Sequence, residues 1–266
     1  YLELSHELFP RIRDQNLLRL HSQQNFNPTY IEREIERIDQ LMKSVPEEDT
    51  QGLIQMEYLN MISRYHLIKG DTELGYSLTQ TLIRLAEKNN RLDFVYKGYL
   101  QMIFHCINLR QIQEMEAYIN QAFRIFRNHA DKGELGVLIR LKGYLMILMN
   151  RFKYGEELLT SAAEIFSRPE YREPYALNLV AAYYYLGESR RLQSDADGAM
   201  AWYTKAEAIC REQGFISHLP LILCGKGIAQ YDVGHMALAA DNLREAAGDV
   251  HISIEHLRGS NSSDML

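Results

Sequence analysis

The feature that most constrains this chain is a register of small residues recurring about every 40 positions. With Val180 as position 1 of a unit, Tyr183 stands at position 4, Leu186-Gly187 at 7 and 8, Ala199 at 20, Tyr203 at 24 and Ala206 at 27. The same ruler started at Pro220 places Gly227, Ala239, Leu243 and Ala246 at positions 8, 20, 24 and 27. Started at Gly136 it gives Gly143, Gly155, Leu159 and Ala162. Two weaker units begin at Tyr96 (Ile103, Met115, Ile119, Ala122) and at Met56 (Ser63, Gly75, Thr79, Leu82). The starts lie 40, 40, 44 and 40 residues apart, and the long step contains the proline-bounded connector Arg168-Pro169-Glu170-Tyr171-Arg172-Glu173-Pro174. Antiparallel helices approach closely only where side chains are small. Gly143, Gly187 and Gly227 are therefore expected at the crossing inside each pair, and Ala162, Ala206 and Ala246 where one pair meets the next. Each helix alone cannot hide its apolar stripe, so stacked neighbours close a continuous core.

Few prolines (6 in 266 residues) and long periodic stretches favour helices over a many-turned β fold. The expected fold class is all-α. The unit at Val180 resembles the tetratricopeptide repeat, which carries an aromatic, Leu-Gly, Ala, an aromatic and Ala at those places; Arg190 and Arg211 depart from it, where an aromatic and a proline are usual. The resemblance implies a right-handed α-solenoid of antiparallel helix pairs, each longer than the usual repeat of about 34 residues. Five such repeats are expected over 51–257, starting near 56, 96, 136, 180 and 220. Before them, 1–50 reads as a degenerate helix pair acting as a cap: Leu17, Leu18 and Leu20, then Asn27-Pro28 as a helix start and Ile31, Ile35, Ile38 and Met42 at helical spacing. Residues 258–266 are polar and small, and a disordered tail is expected there.

Composition excludes several functions. The net charge of −6 argues against nucleic-acid binding by this fragment, because an acidic surface repels phosphate backbones. Cys106, Cys210 and Cys224 are too scattered for a disulfide framework or zinc site and read as small buried apolar residues of a reducing, cytoplasmic compartment. No apolar run reaches the ~18 residues that span a bilayer. The chain opens Tyr1-Leu2-Glu3-Leu4, without an initiator Met or a signal pattern, and a piece of a longer protein is expected.

A search for chemistry returns no catalytic constellation, no metal set and no cofactor motif. Gly225-Lys226-Gly227 lacks the upstream glycine and following Ser or Thr of a phosphate loop and lies in a helical pattern. His251 and His256, five residues apart, fall on different helix faces. The acidic pairs Glu47-Glu48 and Glu156-Glu157 read as solvated, and Asn261-Ser262-Ser263 as a chance sequon in a polar tail.

What remains is a surface. The resemblance implies that the first helix of each pair lines a concave groove with positions 2, 5, 9, 12 and 13. These give Asn60 and Arg64; Lys97, Phe104 and Asn108; Arg140 and Tyr144; Tyr184, Glu188 and Arg191; and Tyr231 and Asp232. Aromatic rings supply stiff contact area, and Arg and Asn supply directional hydrogen bonds. The centre is expected at Arg140, Tyr144, Tyr184 and Arg191, with Tyr184 the inward ring of Tyr183-Tyr184-Tyr185. Such a groove suits an extended peptide, a peptide carboxylate or a sugar stacking on the rings, so a protein or peptide partner or a small effector is expected. The chain is accordingly expected to be a non-catalytic binding domain. Its long, poorly matched repeats resemble the sensor domain of maltose-regulator-type bacterial signalling and transcription regulators; the alternative is a free-standing scaffold, adaptor or chaperone-like protein. The first consequence is spectroscopic: circular dichroism should show helix far above the third of residues usual in globular domains, and a β-dominated spectrum would end this reading.

Overall fold

A computed structural model of the chain describes residues 36, 40, 42–43, 52–128, 131–215 and 218–248. Apart from four isolated positions, the expected N-terminal pair lies outside the described residues, as do Glu47-Glu48, the tail, His251, His256 and the Asn261 sequon. The described residues form α1 (Leu53–Lys69), α2 (Thr72–Lys88), α3 (Leu92–Leu109), α4 (Ile112–Phe126), α5 (Lys132–Leu148), α6 (Phe152–Phe166), the single turn α7 (Pro169–Arg172), α8 (Ala176–Leu192), α9 (Ala196–Gln213), α10 (Leu219–Asp232) and α11 (236–248). No strand occurs among them. The fold is all-α, built of antiparallel helix pairs. The chain divides into two compact units between Ala122 and Phe123. In the first, α1 packs on α2 and on α3, and α2 on α3; in the second, α5 packs on α6 and α8, and α8 on α6, α9 and α10. First helices of successive pairs therefore touch one another within each unit, which is the layering of a helical solenoid.

The turn inside each pair repeats one device. After α1, α3, α5, α8 and α10 a single residue takes the left-handed conformation: Gly70, Arg110, Asn150, Ser194 and Gly234. The amide of the next residue then donates back over the last helical turn, Asp71 to His66 O (2.9 Å), Gln111 to Cys106 O (2.9 Å), Arg151 to Met146 O (2.8 Å), Asp195 to Arg190 O (2.9 Å) and His235 to Gln230 O (2.9 Å). This is the Schellman closure, which satisfies otherwise orphaned carbonyls and turns the chain sharply. The same exit geometry brings the second helix back against the first at the same height every time.

At that height lie the small residues. A Cβ on Gly187 would stand 2.5 Å from Tyr203 Cε1, one on Gly143 2.8 Å from Leu159 Cγ and 3.1 Å from Gly155 O, and one on Gly227 2.8 Å from Leu243 Cγ. Position 8 therefore meets positions 20 and 24 inside the pair, and Ala162, Ala206 and Ala246 are buried. In the weaker units Ser63, Gly75, Thr79 and Leu82, and Ile103, Met115, Ile119 and Ala122, are buried as well. Among these columns only Leu243 of the last pair is exposed.

Three local readings change. The proline-bounded connector folds as α7 and a turn, delivering Tyr175 to stack on Phe166 (centroids 5.5 Å, interplanar 19°) over the space left by Gly133. Burial, followed by the nearby Asp131, pushes the Tyr175 hydroxyl up to about 12. Glu156 is not simply solvated: it accepts from Ser189 Oγ (2.8 Å), Arg190 Nη2 (2.7 Å) and Gln193 Nε2 (2.8 Å), tying α6 to α8. Glu157 is exposed. Arg190 and Arg211, the two departures from the repeat pattern, are both used as ties; Arg211 Nη2 reaches Glu245 at 2.6 Å. Cys106 and Cys210 are buried, whereas Cys224 is only half-buried.

Overpacking the crossing should be costly. Gly187→Leu should lose ~1–3 kcal/mol, with a matching fall in Tm, because its side chain has only the fully buried Tyr203 ring to displace. Gly248→Leu, where nothing lies within 4 Å, is the control and should melt like the parent.

Candidate binding site

In the first unit the facing first helices enclose a cavity of about 320 Å³. From α1 come Asn60, Arg64 and Leu67, spaced i, i+4, i+7 on one helix face; α3 contributes Lys97, Gln101 and Phe104 at the same spacing, with Leu100 between. Lys97 Nζ stands 3.6 Å from Glu57 Oε1 and 4.3 Å above the Phe94 ring. Phe104 is 39% exposed, a large ring left at the rim. Arg64 is half-buried and has no hydrogen bond or ion pair among the described residues. Burial alone lowers its pKa from the ordinary value, with no facing carboxylate to offset it.

The floor of this cavity is a buried polar network. Gln101 Nε2 donates to Asn60 O (3.2 Å) and Asn60 Oδ1 (2.9 Å). Its Oε1 lies within reach of the Ser63 and Thr79 hydroxyls, the latter at 3.1 Å. His105 is wholly buried beside it, with Nε2 3.4 Å from Thr79 Oγ1 and Nδ1 without a hydrogen bond. Burial lowers the His105 pKa, so its neutral form is held. Gln101, with both ends of its amide occupied, ties α1, α2 and α3 together, and a buried network of this kind rigidifies what it supports.

The second unit is different in kind. Arg140 is buried and donates through Nε to Asn178 Oδ1 (3.2 Å). Tyr144 stacks on Tyr185 (4.2 Å, 26°), Tyr183 on Trp202 (5.5 Å, 29°), and Tyr184 leans on both Tyr185 and Tyr203. Arg191 gives both prongs of its fork to Glu188, at 3.2 and 2.7 Å, and Glu188 also accepts from the Tyr203 hydroxyl. Burial, then this hydrogen bond, pushes the Tyr203 hydroxyl well above its usual range; the Glu188 hydrogen bond pushes Arg191 up. These side chains are close together as the repeat register expects, but their polar groups are largely spent on one another. Tyr231 and Asp232 are exposed at the end of α10.

No protein-family model and no curated protein matches the sequence. Solved structures do. The crystal structure of BtubC (BKLC) from P. vanneervenii superposes with a TM-score of 0.57 at 13% identity, over 94% of this chain and 91% of that one. Aspartyl phosphate phosphatase F from Bacillus subtilis superposes with a TM-score of 0.59 at 16% identity, over 93% of this chain and 64% of that one. What these likenesses share with the chain is the fold.

Four of the five groove residues expected in the first unit, Asn60, Arg64, Lys97 and Phe104, line one cavity; Asn108 is exposed and lies outside its lining. Leu67, Leu100 and Gln101 complete it and were not singled out from the sequence. The signal for Gln101 was available as the i+4 position between Lys97 and Phe104, but a lone amide in a weak repeat has no mark of its own. Gly225-Lys226-Gly227 lies inside α10, with Gly225 against Tyr203, Gly227 against Leu243 and Lys226 donating to Glu207 (2.6 Å). The described residues contain no metal-binding cluster, and none of their helices is long and apolar enough to cross a membrane.

If the Glu188 cluster holds the second unit together, Tyr203→Phe should cost ~1.5–3 kcal/mol, the usual worth of a hydrogen bond to a charged group. The ring and its contact with Gly187 survive the change, so thermal denaturation isolates the hydroxyl. Tyr231→Phe, at a ring 60% exposed, should leave Tm unchanged.

Proposed function

We propose that this chain is a non-catalytic binding domain, the sensing or interaction module of a larger bacterial signalling or transcription regulator of the maltose-regulator type, working in the cytoplasm. Its ligand is a protein or peptide segment, or a small effector, received on the first-helix face of the first unit. One observation carries this reading. Arg64 sits half-buried at an open cavity with no partner, next to a ring left exposed at the rim. A cation removed from water without a compensating acceptor costs stability, and the fold would be better served by an apolar side chain there. In the second unit, by contrast, Arg191 and Arg211 are paired. The helical-repeat fold shared with aspartyl phosphate phosphatase F is compatible with a surface of this kind.

The test is a peptide library selected on the purified chain, followed by titration of the enriched peptides. Phe104→Ala should weaken binding by about 30-fold, equivalent to a hot-spot loss of ~2 kcal/mol. Its Tm should stay at that of the parent, since the ring is at the rim. If selected peptides bind the variant as tightly as the parent, the ligand face lies elsewhere and the reading falls.

A further inference from the structure

In the second unit the outer face of each second helix is covered by the first helix of the pair that follows: α8 lies on α6, and α10 on α9. Leu159 of α6 and Tyr203 of α9 are wholly buried there. Leu243 of α11 stands at the same position of the repeat and is 40% exposed. With Met236 (56% exposed), Ala240 and Ala247 it forms a stripe at spacing i, i+4, i+7, i+11, beside the buried Ala239 and Ala246. Half of the exposed large apolar side chains among the described residues stand on α10, α11 and the turn between them. A concentration of that kind marks a contact surface.

The stripe is complementary to itself. Around the midpoint between Asp241 and Asn242, Met236 mirrors Ala247 and Ala240 mirrors Leu243. Two copies of α11 laid antiparallel across a two-fold axis at that midpoint therefore set a large side chain over a small one at every step. A two-fold interface requires this, because residue i must fit residue j while j fits i. The charges follow the same symmetry. Asp241 and Arg244 stand one residue after Ala240 and Leu243, so both flank the stripe on one side. In the antiparallel pair that side of one helix meets the same side of the other, and Arg244 comes within about 3 Å, along the helix axis, of the partner's Asp241. The existing contact of Arg244 Nη1 with Asp241 Oδ1 (2.8 Å) is exposed at both ends. Such surface pairs contribute little, so exchanging it for one across the interface costs almost nothing. Glu245, on the far side, is already neutralised by Arg211.

We propose that the α11 stripe is a homodimer interface, on which a second copy of this chain pairs antiparallel about the midpoint between Asp241 and Asn242. Size and charge both match the stripe to itself, which is what selects a second copy as its occupant. The interface is independent of the first-unit cavity. A contact between single helices of this length is at the small end of specific interfaces, so association is expected in the micromolar range or weaker. A dimer carries the first-unit face twice, which raises the apparent affinity for a partner with two matching segments.

The experiment is analytical ultracentrifugation of the full chain from about 1 μM to about 1 mM, over which the mass should rise from one chain toward two. Met236→Glu puts a charge into the stripe at an exposed position, and an acid in the first turn of α11 suits the helix dipole, so Tm should stay at that of the parent. Arg244→Glu and Asp241→Arg each set like charges across the two-fold axis. All three variants should weaken association at least about tenfold. Mixed in equal amounts, the Arg244→Glu and Asp241→Arg chains should associate again as a heterodimer. The new glutamate of one chain then faces the new arginine of the other, and the second contact keeps its native pair. A chain that is monomeric throughout, its stripe covered by another segment or left for a different protein, would overturn the proposal. So would a dimer indifferent to Met236→Glu, or charge variants that stay apart when mixed.

Discussion

The close approach of the two helices inside each pair is the contact on which everything else depends. Where Gly187 meets Tyr203 and Gly143 meets Leu159 and Gly155, backbone stands against side chain or against backbone with no room for a further carbon. The Schellman turns deliver each second helix to that crossing in the same way, with a left-handed residue and one back-donated amide each time. In the first unit Gly75 gives α2 the same close approach to the α1 backbone, and another face of α1 meets α3, where the two share a cavity.

In the first pair the same crossing is polar. Ser63 and Thr79 occupy the columns held in the last three pairs by Gly and by Leu or Tyr, and Gly75 lets the His105 ring come close. Polar groups in such a place are costly unless satisfied. Gln101 supplies most of that satisfaction by joining α1, α2 and α3 in one network. The consequence is specificity of orientation: an apolar crossing would leave the Asn60 amide free to flip, whereas this one holds its oxygen on the Gln101 amide.

The two units also divide their charges differently. Glu156, Glu188 and Glu207 each gather cationic or hydroxyl partners and hold helices of the second unit together. The groups are partly buried, so these contacts are screened less than surface pairs. Arg140 and Arg191 belong to this class, which is why a cluster expected to lead the binding surface is instead largely satisfied within the protein. Arg64 has no such arrangement.

The sequence by itself determined the periodic part of the protein. Gly143, Gly187, Gly227 and the alanines behind them mark helix crossings because steric exclusion acts on residue type at fixed spacing, and spacing is what a sequence displays. The helix class and the helix pairs follow from that period, whereas Asn60, Arg64, Lys97 and Phe104 are named as groove positions only through the resemblance to the tetratricopeptide repeat. Tertiary structure alone decided which polar groups are free. Whether a cation is spent or available depends on which carboxylate the fold brings within about 3 Å: Arg190 meets Glu156, 34 positions away, and Lys226 meets Glu207 across two helices, while no carboxylate is brought to Arg64. Gln101, 41 positions from Asn60, gained its meaning only when α1 and α3 came together, because an amide's orientation is set by its hydrogen-bond partners and not by its place in a repeat.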